Sequence, residues 1–194
     1  MKRRILLIDG HPDARAERFV HALAKSYCDG ARAGGHEVKS IIVSELEFPV
    51  LRTAEEFADS AAAPAIWRAQ QTIAWAEHVV ILFPLWLGTM PALLKAFLEQ
   101  VFRPKFAFRT DGRALPRKLL KGKSARIVVT MGMPALLYRV YFQAHGVAGL
   151  RLSILGFGGF APIHTSLIGG VETMSSARRG LWLARMAQMG RRAR

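Results

Sequence analysis

Apolar positions along the chain alternate between two rhythms. Ile5-Leu6-Leu7-Ile8 and Val79-Val80-Ile81-Leu82-Phe83 are unbroken apolar runs, as expected of strands buried on both faces. Ala16, Phe19, Val20, Leu23, Ala24, Tyr27, Cys28 and Ala31 instead recur at helical spacing and predict an amphipathic helix over 15–33, stopped by Gly34-Gly35. The same reasoning gives strands at 3–9, Glu37–Val43, 78–83, Ala125–Thr130 and Phe160–Ile168. Further helices are expected from Pro64 to about Ala76, at 90–102 and at Ser175–Met189. Ala135–Leu155 reads as helical, with breaks near Gly146 and Gly149; 44–63 and 103–123 read as irregular, the latter with Asp111-Gly112 as a turn. Strands alternating with helices predict an α/β fold, a doubly wound parallel sheet of five strands with helices on both faces. The order 2-1-3-4-5 fits best and brings the loops after strands one, three and four to one crevice.

One stretch, Ile81 to Phe108, carries the clearest site signal. Its strand leads to Pro84, which lacks a backbone donor, and then to the short loop Leu85-Trp86-Leu87-Gly88. Thr89 suits an N-cap and Pro91 a first helical turn, before Leu93, Leu94, Phe97, Leu98, Val101 and Phe102 form one apolar stripe. Trp86, Phe106 and Phe108 lie outside regular helix and predict an aromatic-walled pocket. The other loop of interest is Gly10-His11-Pro12-Asp13, at the start of the first helix. Free N–H groups there favour a phosphate, and Arg15 and Arg18 add positive charge. Solvated arginines with Asp13 as a cap are the plainer reading of the same residues.

Composition narrows the alternatives. A chain of 194 residues with 51% hydrophobic content can bury a core without disulfides or metals. The reading is one domain over 1–190 with a basic tail at 191–194. No apolar run is long enough for a membrane span, the N-terminal run ILLI ends in an aspartate unlike a signal peptide, and the lone Cys28 fits a reducing compartment. A cytoplasmic location is therefore expected. The net charge of +14 fits either a solvated basic surface or an anionic partner, and the scatter of the charges argues against nucleic acid.

Other motifs weaken on inspection. Gly122-Lys123-Ser124 would need a glycine at Arg117 and precedes a strand where a P-loop follows one. Gly156-Phe157-Gly158-Gly159-Phe160-Ala161 also precedes a strand, unlike a dinucleotide fingerprint. The six histidines lack metal-ligand spacing, so no metal is expected. Tyr138 and His145 lie within two helical turns of each other; spacing alone favours a structural tyrosine and a surface histidine, with shared proton transfer as the alternative.

Taken together, FPLWLGTMPALLKAFLEQVF followed by FAF, with GHPD after the first strand, resembles the flavodoxin-like NAD(P)H dehydrogenase (quinone) family, which includes modulator-of-drug-activity-B-type reductases and ancillary oxidoreductases of potassium efflux systems. The resemblance runs from Ile5 to about Val171. It implies a flavin, FMN or alternatively FAD, at the carboxyl edge of the sheet, with NADPH or NADH as hydride donor and a quinone-like acceptor. Pro84, Leu85, Trp86, Leu87 and Gly88 would line the flavin ring, and Thr130, Met131, Gly132 and Met133 would form a second ring-binding loop. His11, with Arg15, Arg18 and Phe19, would serve the phosphate end. Tyr138 and His145 match a catalytic pair, and Trp86, Phe106 and Phe108 the acceptor mouth. A homodimer is implied as well. The chain contains no asparagine, and Ala14 and Ala16 stand where relatives carry hydroxyl side chains, so phosphate binding would rest on backbone N–H groups and arginine. The rival reading is a regulatory subunit with little turnover that attaches to a peripheral membrane-protein partner.

Overall fold

A computed structural model describes residues 2–110 and 116–194; the expected turn at Asp111-Gly112 lies outside them. Five parallel strands form one sheet: β1 Arg4–Asp9, β2 Glu37–Ile42, β3 His78–Pro84, β4 Ser124–Thr130 and β5 Ile163–Ile168. Their order is β2-β1-β3-β4-β5, as predicted. Register runs from Ile5 opposite His78 to Asp9 opposite Leu82, and from His78 opposite Ser124 to Pro84 opposite Thr130. β3 therefore sits at the centre, with six of its seven residues buried.

Side chains alternate along each strand and so divide the core. Leu6, Ile8, Val79, Ile81, Phe83, Ile127 and Val129 pack on one face with residues of α3 (Pro64–Trp75) and α4 (Ala92–Val101). Ile5, Leu7, Val80, Leu82 and Val128 pack on the other, with α1 (Phe19–Ala33) and the C-terminal helix Ser176–Arg191. These two helices touch at backbone distance. A Cβ on Gly190 would lie 2.1 Å from the Tyr27 carbonyl oxygen, and one on Gly30 would lie 2.0 Å from that of Ala187. Beyond Arg191 the chain does not trail off as a tail. The N–H groups of Ala193 and Arg194 donate to the carbonyls of Gly190 and Met189, and Ala193 is buried.

Three further expectations change. The first helix begins at Phe19, not at 15, because Arg15 and Arg18 are drawn onto Asp13 in the preceding loop. Residues 44–63 are not wholly irregular, since α2 spans Ala54–Asp59. Its N-cap Thr53 accepts from the Glu56 N–H at 3.1 Å, while the Glu56 carboxylate takes the Arg52 N–H. This T-x-x-E pattern is readable in the sequence as a capping box. Arg103, buried beyond α4, closes the other end by donating to the carbonyls of Glu56 and Ser60. The break expected near Gly146 and Gly149 falls instead at Gln143 and Ala144, both at positive φ. It separates α5 (Ala135–Val140) from α6 (His145–Ala148), which continues as a wider π-type helix to Gly156. We designate the C-terminal helix α7.

Glycine at the α1–α7 contact gives a direct test. Gly190→Ala should lower the free energy of urea unfolding by about 1–3 kcal/mol, because backbone must move to admit the methyl group. Gly180→Ala, on the exposed side of the same helix with nothing within 4 Å, should be neutral or stabilising by about 0.5–1 kcal/mol. Equal effects of the two substitutions would contradict the packing described.

Candidate functional site

The carboxyl ends of β1, β3 and β4 release three loops along one edge. After β3, the Leu85 N–H donates to the Thr130 carbonyl at 2.7 Å, which ties this loop to the end of β4. Trp86 and Thr89 then exchange both backbone hydrogen bonds, at 2.9 and 3.0 Å, around Leu87 and Gly88. Both central residues have positive φ, 47° and 80°, the pattern of a type I′ turn. Such a turn suits Gly88 but strains Leu87, whose side chain is fully exposed. Thr89 is thereby spent on the turn and does not cap α4; Pro91 occupies the N-cap position and the helix starts at Ala92. That corrects the expected N-cap at Thr89 and first-turn place for Pro91. The turn is why: Thr89 must face back toward Trp86.

Tyr138 fixes this turn from the other side. Its hydroxyl donates to the Gly88 carbonyl at 2.9 Å, and the ring is buried. Burial raises the phenol pKa, partly offset by the N–H groups of Val147 and Gly146 that point at its oxygen. Gly146 meets the turn so closely that a Cβ there would lie 2.4 Å from the Gly88 oxygen. His145, one residue earlier, is exposed. Both members of the expected pair border one cavity of about 930 Å³, with Leu87, Gly88 and Thr89 on its rim. The walls are mainly apolar: Leu98, Phe102, Phe108, Phe142, Leu150 and Phe157, with Lys95, Glu99 and Ser153 as polar groups.

Not every expected wall residue faces this space. Phe108 does, with its ring 4.8 Å from that of Phe157 in an edge-on arrangement. Phe106 packs against the core cluster and is absent from the cavity lining. Trp86, half exposed, lies 6.4 Å from the His11 ring at a steep angle, toward the loop after β1. In the third loop Thr130 and Met131 are buried and Gly132 is exposed; the Met131 N–H is taken by the Ile168 carbonyl. The N–H groups of Leu87, Gly88, Gly132 and Met133 have no partner among the described residues, leaving donors along this edge.

The loop after β1 is a polar knot. Asp9, buried at the end of the strand, accepts the His11 N–H at 3.1 Å on one oxygen and meets His21 Nδ1 at 2.5 Å with the other. His11 is also buried; its Nδ1 accepts the Asp13 N–H at 3.0 Å, which puts the ring proton on Nε2. Burial lowers the His11 pKa, and the neighbouring His21 lowers it further. The Asp13 carboxylate receives the Arg15 side chain and backbone N–H, and Arg18 as well, which hold it well below the usual carboxylate range. Arg15 and Arg18 are thus engaged with Asp13. Phe19 carries Arg179 of α7 over its ring at 4.8 Å.

Asp9, His21 and Phe157 escaped sequence reasoning. A readable signal existed for the first two: a carboxylate ending an apolar strand demands a charged or hydrogen-bonding partner, and His21 lies on the first turn of the helix that follows. Phe157 was hidden inside a glycine-rich run. No group of three or more His, Cys, Asp or Glu suited to a metal ion occurs among the described residues, and no described helix is long and apolar enough to cross a membrane.

A three-loop crevice at the switch point of a 2-1-3-4-5 sheet defines a flavodoxin-like class of protein. A family model described as "Flavodoxin-like fold" matches residues 3–188, and the chain belongs to that family, in agreement with the resemblance drawn from the sequence. Among curated proteins, it is 30% identical over 146 residues to mouse ribosyldihydronicotinamide dehydrogenase [quinone], covering 71% of this chain and 61% of that protein. It is 33% identical over 88 residues to FMN-dependent NADH:quinone oxidoreductase 1 of Colwellia psychrerythraea, covering 45% and 43%. The chain spans less than two thirds of the length of the curated relatives it matches. The crystal structure of Smu.1420 from Streptococcus mutans shares the fold, with a TM-score of 0.78 at 24% identity over 97% of this chain and 99% of that one.

Removing one hydroxyl tests the link between α5 and the site turn. Tyr138→Phe should lower unfolding free energy by about 1 kcal/mol in urea, since it leaves the Gly88 carbonyl without its donor. Faster amide exchange should appear at residues 86–89. Unchanged exchange there would show that the turn does not depend on Tyr138.

Proposed function

We propose that the protein is an FMN-dependent NAD(P)H oxidoreductase that reduces quinones or similar flat acceptors. The observation that carries this reading is the pairing, on one sheet edge, of a phosphate-suited helix start at His11–Phe19 with an apolar cavity behind the Trp86–Thr89 turn. An anionic tail at one end and a flat apolar ring at the other fit that arrangement. The free N–H groups of Leu87, Gly88, Gly132 and Met133 suit the polar rim of such a ring. The names of the mouse and Colwellia relatives point the same way.

A bound flavin would supply the hydride-accepting and hydride-donating centre, as cofactors do for chemistry beyond side chains. The protein's part is placement and charge. Pro84 to Gly88 would form the shelf for the ring, its turn held by Tyr138 and Gly146. The free N–H groups of Leu87, Gly88, Gly132 and Met133 would favour negative charge on a reduced ring. Tyr138, with its raised pKa, keeps its proton at neutral pH and serves through its hydroxyl; His145 stands exposed at the rim of the cavity. Phe108 and Phe157 form an aromatic wall for the acceptor.

Anaerobic addition of NADPH or NADH to the FMN-reconstituted protein should bleach the flavin absorbance, and a quinone should restore it. Protein that binds no FMN, or bound FMN that is not bleached by either nucleotide, would refute the enzyme reading.

The acceptor mouth is completed by a second copy of the chain. Leu87, Leu136, Val140 and Tyr141 expose large apolar side chains on the site turn and α5, at 106%, 72%, 68% and 75% of full exposure. Apolar groups this exposed, clustered beside a site, suit a homodimer contact. Sizing in solution should give a dimer, and Leu136→Glu with Val140→Glu should give a monomer. A wild-type monomer at micromolar concentration would refute the dimer.

A further inference from the structure

The loop of residues 10–18 lacks hydroxyl and carboxamide side chains, and its two arginines are tied to Asp13. What gives it a defined shape is His21, on the first turn of α1. Nδ1 of His21 lies 2.5 Å from an Asp9 carboxylate oxygen, and Nε2 lies 2.8 Å from the Asp13 carbonyl oxygen. With the Asp9 carboxyl ionised both partners are acceptors, so both ring nitrogens donate and the ring carries two protons. The second Asp9 oxygen accepts the His11 N–H. One buried carboxylate and one ring thus fix the path of the backbone at residues 9, 11 and 13.

We infer that His21, held between the Asp9 carboxylate and the Asp13 carbonyl, is a positioning residue that shapes the loop of residues 10–18 into a seat for a flavin phosphate. The phosphate assignment rests on the flavin reading above; the shaping of the loop does not. Loss of either ring proton turns a nitrogen lone pair toward an oxygen, so the loop must open on that side. The N–H groups at the start of α1 then lose their common direction, and with it their attraction for an anion.

The surroundings of the ring favour its charged form. Burial alone would lower the His21 pKa, but the hydrogen bonds to Asp9 and the Asp13 carbonyl, with both negative charges nearby, raise it above the ordinary 6.5. The titratable groups facing it are Asp9 from β1 and His11 and Asp13 from the loop, with Arg15 and Arg18 beyond on the Asp13 carboxylate. On α7, Arg179 reaches the same end of α1 over Phe19 but donates to the carbonyls of Val171 and Met174. A pKa raised by folding gives stabilisation that is complete below about 6.5 and fades as pH rises through the folded value.

Two measurements test this. In flavin-free protein, amide protection factors of residues 10–18 should fall at least about tenfold between pH 6.5 and 9.5, in step with loss of the imidazolium signal of His21 in ring ¹⁵N spectra. FMN affinity should fall over the same interval, while riboflavin, which lacks the phosphate, should change far less. His21→Gln should bind FMN more weakly at pH 6.5 and show no such pH slope. A neutral His21 ring at pH 6.5, constant loop protection in the wild type, or a wild-type slope in His21→Gln would overturn the inference; the first two need no variant to fold. Loop protection that follows His21 in a protein binding FMN at no pH would overturn the flavin reading instead and leave the positioning role standing.

Discussion

Burial of β3 on both faces is the constraint from which the site follows. A strand with six of seven residues out of solvent must lie mid-sheet, and its parallel neighbours β1 and β4 must run the same way. Their carboxyl ends then open on one edge, so the loops after all three strands meet whatever their sequences. The Pro84–Gly88 shelf, the Thr130–Met133 loop and the His11 loop share a crevice for that reason. Strong interstrand pairing continues to the last residues, where the Gly10 N–H donates to the Leu82 carbonyl and the Leu85 N–H to that of Thr130. The loops therefore leave from a rigid border.

Much of this was legible along the chain. Unbroken apolar runs located the core strands β1 and β3, because buried parallel strands need no polar face. The strand order followed from the alternation of strands and helices, and the candidate site at the β3 loop from the residues that follow that strand. Local reasoning failed where tertiary contacts override propensity. Thr89 has the chemistry of an N-cap, yet the Leu87-Gly88 turn claims its backbone. Gly146 and Gly149 have the composition of a break, yet the chain bends at Gln143-Ala144, with Gly146 needed instead for close approach to Gly88. The T-x-x-E box at Thr53 was local and readable; its helix is short, and its far end relies on Arg103, which is distant in sequence.

The candidate site divides in the same way. Residues on the shelf could be named from Pro84, Trp86 and Gly88 because a proline-aromatic-glycine loop after a buried strand has few other uses. The split between Trp86, facing His11, and the Leu87–Thr89 rim of the cavity could not, since it depends on the positive φ of Leu87. Phe106 and Phe108 read alike in sequence and pack against the same core cluster, but only Phe108 lines the cavity. His21 could be read from the sequence only as a nearby partner for Asp9, not as the residue that shapes the loop. Its role is defined by two acceptors, one on β1 and one in the loop, that only the folded chain brings to its ring.

The proposed flavin would lie along the edge where β1, β3 and β4 end. Amide exchange followed by mass spectrometry, with and without FMN, tests that placement most directly. Protection on adding FMN should be confined to peptides covering residues 10–20, 84–91 and 130–134, with the amino-terminal edge of the sheet unchanged. Protection centred instead on residues 34–36 and 190–194, at that opposite edge, would contradict it.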